Sequence, residues 1–243
     1  MSGLRAALRA LRPAFLPAAA GCVLALGILS GCSGKPPVLS RVYARVIYVK
    51  DADAGINRET LGVFLVASDA DGMENLSAFY VINDDAELFW KVDSSSWVTS
   101  TAEGETWIGS NGISMPGAMG LPSGPYRVVL EDVGGETVED TFTVPARTHS
   151  ASDASYPTAR VANGTIRITG AGSAAEVWAY GKDGRFASSL PVTGASPVID
   201  VGTIAALSPA LAGGFSFRVF SWDEKAGYGV LSETYQAGTL PGR

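Results

Sequence analysis

Between Ser40 and Arg147 apolar and polar residues alternate with a period of two, the pattern of half-buried strands. In RVYARVIYVKD, residues 41–51, Val42, Ala44, Val46 and Tyr48 fall on one face and Tyr43, Arg45, Ile47 and Val49 on the other. LGVFLVASDADG follows as a near-continuous apolar run that ends in a turn. SAFYVIND and ELFWKVD flank Asp84-Asp85, and TWIGS, PYRVVLED and DTFTVPA complete a set of about seven strands. That number and spacing predict a β-sandwich.

The stretch LPSGPYRVVLEDVGGETVEDTFTV sharpens the expectation. Tyr126 opens a strand after a Gly-Pro corner, and Gly134-Gly135 turns the chain into the next alternating strand. The arrangement is similar to the F–G hairpin of immunoglobulin-like and fibronectin-type domains, where a tyrosine near the start of strand F bonds back to the corner. The cysteine pair of antibody domains is missing, so the resemblance implies a fold class and no function.

The polar stretch THSASDASYPT, residues 148–158, reads as a linker. It places one sandwich at residues 40–147 and a second at 159–243. In the second, NGTIRITG, AEVWAY, RFASSLPV, SPVIDVG, GFSFRVFSWD and GVLSETYQ read as strands. Phe215, Phe217 and Val219 share one face there, and Ser216 and Arg218 the other. TIAALSPALAGG is too short and broken for more than a helical turn. The fold class expected is all-β, with two immunoglobulin-like sandwiches.

The first residues differ in kind. Arg5, Arg9 and Arg12 are the only charges before Lys35, and residues 14–28 are almost wholly apolar, the layout of a secretory signal. Leu29-Ser30-Gly31-Cys32 then resembles the lipobox of bacterial lipoproteins. The resemblance implies that a signal peptidase reads Leu29, Ser30 and Gly31 and removes residues 1–31. It also implies that Cys32 becomes an acylated first residue, carrying chains such as palmitate, on a tether of residues 32–39. Each buried acyl CH₂ contributes about 0.8 kcal/mol and stable anchoring takes more than one chain, which a diacyl or triacyl cysteine supplies. Ser33 stands where the family often carries an aspartate for inner-membrane retention, so the resemblance favours an outer membrane where the organism has one. An uncleaved anchor over residues 13–31, interrupted by Pro17 and Gly27, and export with ordinary cleavage stay open as alternatives.

Charge and cysteine count narrow the partners. Without the three arginines of residues 1–31 the formal net charge moves from −6 to −9. Such a surface repels nucleic acid and anionic lipid headgroups. Cys22 lies in the apolar run, so Cys32 is alone in the mature chain and no internal disulfide or thiolate metal site is available. Charged residues at 17% and aromatic residues at 9% suit a packed core rather than disorder.

The candidate chemistry is sparse. Gly170-Ala-Gly172-Ser-Ala-Ala175 matches a dinucleotide fingerprint, but AEVWAY after it reads as a strand where the fingerprint needs a helix, so no nucleotide is expected. The aspartates of DADAG (51–55) and DADG (69–72) lack the fifth- and twelfth-position ligands of a helical calcium loop and read as turn residues. His149 is the only histidine and falls in the linker, away from any scaffold for a triad. No catalytic residue, metal ligand or cofactor is therefore assigned, and the chain is not expected to be an enzyme. Trp97 and Trp107 are the candidate binding surface, because aromatic faces stack on sugars and anchor protein contacts. Trp97 follows three serines and is expected to be exposed, whereas Trp90 beside Phe89 is expected in the core on strand C. The expected partners are the membrane, through the acyl chains of Cys32, and an envelope or extracellular protein or glycan.

In cells fed labelled palmitate, the chain should incorporate label and Cys32→Ser should incorporate none. Equal labelling of the two would remove the lipobox reading.

Overall fold

A computed structural model describes residues 34–172, 174–194 and 196–237. The signal peptide and the lipobox tetrad through Cys32 lie outside the described residues. The chain is all-β apart from short helical turns.

Eight strands come first: β1 (Val38–Asp51), β2 (Ile56–Ser68), β3 (Leu76–Asn83), β4 (Leu88–Asp93), β5 (Val98–Ala102), β6 (Glu105–Ser114), β7 (Gly124–Asp132) and β8 (Thr137–Val144). Their sheet orders are β1-β2-β6-β5 and β4-β3-β7-β8. In immunoglobulin lettering these are A-B-E-D facing C′-C-F-G. Of these eight strands, VTSTA, which forms β5, is the one that alternation alone did not reveal: it is short, hydroxyl-rich and lies at the sheet edge. Trp90 sits on β4, in the C′ position, and not on strand C; its indole N–H donates to the Ser114 carbonyl at 3.0 Å.

The second set comprises β9 (Thr158–Ala162), β10 (Thr165–Thr169), β11 (Ala174–Tyr180), β12 (Phe186–Val192), β13 (Val198–Asp200), β14 (Ser216–Asp223), β15 (Tyr228–Leu231) and β16 (Tyr235–Gln236). Their orders are β13-β10-β9 and β12-β11-β14-β15, with β16 also paired to β14. The broken segment before β14 holds one helical turn, α1 (Val201–Ala205), capped by the Asp200 carboxylate accepting from the Gly202 N–H at 2.7 Å.

The two sets share a sheet. β1 pairs in parallel with β15 through Ile47–Gly229, Tyr48–Val230 and Val49–Leu231, so nine strands form one sheet. From Lys35 onward the chain is one compact unit. The stretch 148–158 packs down as well: Ala151 is buried, Ala154 and Tyr156 lie against the first core, and Tyr48 donates to the His149 carbonyl at 2.7 Å.

Two cores lie on one face of the large sheet. Val46, Tyr48, Leu61, Val63 and Leu65 pack against Phe79, Val81, Tyr126 and Val128 of the four-stranded sheet. Val177, Phe217 and Val219 pack against Ile166 and Ile168 of the three-stranded sheet and against Ile204 of α1. Tyr126 behaves as its position in the sequence predicts. It is 1% exposed, its ring stacks on Phe142 at 5.4 Å, and its hydroxyl donates to the Pro122 carbonyl at 2.9 Å. A buried ion pair, Arg147 to Glu59 at 2.9 Å, ties the end of the first sandwich to β2, and the Leu121 N–H adds a bond to Glu59 at 3.0 Å.

Tyr126→Phe keeps the ring packing and deletes the corner bond, leaving the Pro122 carbonyl without its donor. Urea unfolding should show a loss of about 1–2 kcal/mol; a loss near zero would mean that water replaces the hydroxyl.

Candidate functional site: a trough on the open face of the nine-stranded sheet

Among the described residues, no other sheet covers the face of the large sheet opposite the two cores, yet that face carries apolar residues. Ile47 and Val49 of β1 cluster there with Trp178, Phe220 and Leu231, and Tyr180 and Trp222 pack at the margin. Alternation places them. In β1 the even positions enter the first core, so Arg45, Ile47 and Val49 project the other way; the β1–β15 and β14–β15 registers bring Leu231 and Phe220 onto the same side.

The sheet curls around this face. Val98, Thr99 and Ser100 of edge strand β5 and Phe186, Ala187 and Ser188 of edge strand β12 border the same cavity, of about 800 Å³. This lies within the range of small-molecule sites. The two edges of one sheet thus form the lips of a trough, and the strands between them form its floor.

Three arginines and one carboxylate line it: Arg45, Arg58, Arg218 and Glu176. The Arg45 guanidinium lies 4.5 Å over the Phe220 ring and 5.7 Å from that of Trp178. Trp178 itself stacks on Phe220 at 4.7 Å and donates its indole N–H to Glu176 at 3.0 Å. Arg218 spans the seam between the sandwiches, donating to the Ser232 carbonyl at 2.7 Å and to the Lys50 carbonyl at 2.8 Å. Arg58 pairs with Asp51.

Burial acts on these charges. It pulls the Arg45 guanidinium below the ordinary arginine value, and it does the same to Arg218, where the charge of Arg58 adds to the effect. Burial pushes the Tyr180 hydroxyl up to about 12, so at neutral pH it stays an uncharged donor. Among the described residues, three buried side-chain polar atoms have no hydrogen-bond partner: Arg45 Nε, Arg58 Nε and Asn111 Oδ1. All three belong to residues that line the trough. A buried polar atom left unpaired costs about 1–3 kcal/mol.

No family model matches the chain, and no curated protein does. It is similar to several solved structures. They include the BSP domain of a biofilm associated protein, at 14% identity and TM-score 0.26, with 84% of this chain and 30% of that one covered. Dimeric latent PorU from Porphyromonas gingivalis matches at 16% identity and TM-score 0.33, covering 84% and 20%. Tp47, the 47-kilodalton lipoprotein of Treponema pallidum, matches at 15% identity and TM-score 0.34, covering 83% and 51%. The chain thus spans about half or less of the length of these structures.

The residues singled out in the sequence fall in several places. Trp97 is half-buried rather than exposed: its ring stacks on Phe79 at 6.2 Å and packs against the first core. It also borders a second cavity, of about 570 Å³, which shares Val98, Thr99, Phe186 and Ala187 with the trough. Trp107 is half-buried beneath Arg41, whose guanidinium sits 5.5 Å from the ring, and it does not line the trough. The turn aspartates are engaged locally, Asp51 by the Ala54 N–H at 3.0 Å and Asp69 by the Asp71 N–H at 2.7 Å. Among the described residues no cluster of three or more His, Cys, Asp or Glu could hold a metal ion. β11 follows the Gly170–Gly172 turn, so that glycine pair leads into a strand.

Sequence reading missed Arg45, Arg58, Asn111, Glu176, Trp178 and Arg218 as site residues. A signal was present: arginine and large apolar residues occupy the noncore positions of β1 and β14, which marks a face that is neither core nor ordinary surface.

Glycines let the floor close. A Cβ at Gly229 would meet the Phe220 ring at 2.4 Å, and one at Gly62 would meet Asn111 Oδ1 at 2.4 Å. Gly229→Ala should push Phe220 off β15, disturb its stack with Trp178, and cost about 1–3 kcal/mol in denaturant unfolding. Trp fluorescence of the folded protein should change with it; an unchanged spectrum and stability would show that the ring can shift freely.

Proposed function

We propose that this chain is an exported lipoprotein of the bacterial cell envelope, held to a membrane by acyl chains on Cys32, and that its β-sandwiches bind a ligand in the adjoining aqueous space. The observation that carries the binding part is the coincidence of the unpaired buried atoms with the trough: Arg45 Nε, Arg58 Nε and Asn111 Oδ1 all belong to the wall of one cavity. The atoms are themselves buried, so a ligand with complementary groups reaches them as these side chains turn outward into the cavity.

Binding suits this lining better than turnover does. Among the described residues the wall holds one carboxylate, Glu176, already engaged by Trp178, and no histidine or cysteine. Acid–base catalysis needs groups poised to exchange protons with the substrate, and buried arginines stay charged. The anchor reading is supported by the lipobox resemblance and by the Ser33 position, which favours an outer membrane where one exists. Among the described residues no helix is long and apolar enough to cross a membrane. In this reading the chain is an interaction module, and its partner is an envelope or extracellular protein or glycan.

Photo-crosslinking in intact cells tests it. Benzoylphenylalanine in place of Ser188, on the lip of the trough, should give an adduct that the same group at Val133, in the exposed β7–β8 turn, does not. No adduct from Ser188, or the same adducts from both positions, would overturn the binding reading.

A further inference from the structure

The trough's polar inventory is specific. It offers guanidinium donors in excess, with three arginines against one carboxylate, in a chain whose net charge is −6. Glu176 is bonded by Trp178 and Arg58 is paired with Asp51, but Arg218 is held only by main-chain carbonyls. Arg45 is held by two aromatic faces, with Tyr43 and the Glu176 carboxylate near its charge and its Nε unpaired. Asn111 Oδ1 is the complementary feature, a buried acceptor that calls for a hydroxyl or N–H donor.

Hydroxyl side chains, among them Thr60, Ser100, Ser110, Ser114 and Ser188, share the rest of the wall with apolar residues such as Val49, Phe64 and Leu231. The floor is formed by β11, β14, β15, β1, β2 and β6, each paired on both sides, so their main-chain groups are engaged with one another. An extended peptide draws much of its affinity from main-chain bonds to a free strand edge; over this floor it would have side chains alone, and the free edges lie at the lips, β5 and β12. A ligand that carries many hydroxyls and a carboxylate matches the polar part of this lining, and the apolar faces of sugar rings match the aromatic part. The second cavity continues from the shared residues Val98, Thr99, Phe186 and Ala187 towards Trp97, which gives an elongated ligand room beyond the trough.

We propose that the trough recognises a short acidic oligosaccharide, with sugar carboxylates taken by Arg45 and by Arg218 and a sugar hydroxyl donated to Asn111 as its amide turns into the cavity. This rests on the reading of the trough as a ligand site. Arg45 and Arg218 come from β1 and β14, on opposite sides of β15, so carboxylates on separate sugars can engage the two.

The test is calorimetric titration of the full acylated chain in detergent with tri- to hexasaccharides of galacturonate and of glucuronate, their carboxyl-reduced counterparts, and hexaglutamate. Uronate oligosaccharides should bind at least tenfold more tightly than the reduced forms, and the affinity should fall as salt rises. Arg45→Met keeps an unbranched apolar stem over Phe220 and should weaken uronate binding at least tenfold. Asn111→Asp keeps an acceptor but adds a repelling charge; it should weaken uronate binding while leaving the reduced sugars unchanged, which a merely unfolded variant would not do. Equal affinity for acidic and reduced sugars, tighter binding of hexaglutamate, or no binding of any uronate would overturn the assignment. An adduct at Ser188 in cells would in those cases still stand for a ligand site of other chemistry, whereas its absence would remove the site itself.

Discussion

The parallel pairing of β1 with β15 is the contact on which the rest of the molecule depends. The first core closes over Phe79 and Tyr126 and takes in Val230 of β15, and the second closes over Ile166 and Phe217. The pairing adds continuity. It aligns Ile47 with Gly229 and Val49 with Leu231, so an edge strand of each sandwich becomes an interior strand of one nine-stranded sheet. Two exposed edges, which would otherwise be free to pair with other chains, are removed together.

The seam is reinforced by side chains that belong to neither core. Arg218 reaches from β14 to the carbonyls of Ser232 and Lys50, and Lys50 pairs with Glu233 at 3.5 Å. Phe220 lies flat across Gly229, in space that a larger residue would occupy, and meets Trp178 and Arg45 on the other side. Burying an apolar side chain such as Ile47 or Leu231 contributes about 1.5–3 kcal/mol. This cluster therefore holds the sandwiches in register and forms the floor of the trough with the same atoms.

That shared use explains the electrostatics of the trough. Guanidinium groups tolerate partial burial because their planar faces stack on aromatic rings and their N–H groups spread over several acceptors. Arg45 uses the first device and Arg218 the second, and burial still draws their proton affinity down. Positive charge is thereby concentrated on the inner face of a sheet in an otherwise acidic protein, where the curl of the sheet keeps it partly out of water and so less screened.

The local elements and the all-β class were legible in the sequence. Alternation in RVYARVIYVKD and GFSFRVFSW, the Gly-Pro corner before Tyr126 and the short helical turn in TIAALSPALAGG are local consequences of residue type, and each appears where its residues dictate. β5 escaped because a five-residue, hydroxyl-rich edge strand carries no apolar period. Trp97 and Trp107 could be noticed as aromatic residues, but their burial depended on Phe79 and Arg41, which come from other strands. The trough was not legible as a site, because its members are drawn from β1, β2, β6, β11 and β14 and meet only through the β1–β15 register. A sequence sets which face of its own strand a residue occupies; which strands then stand side by side is decided by long-range pairing between segments more than 160 residues apart, as in the Lys50–Arg218 bond.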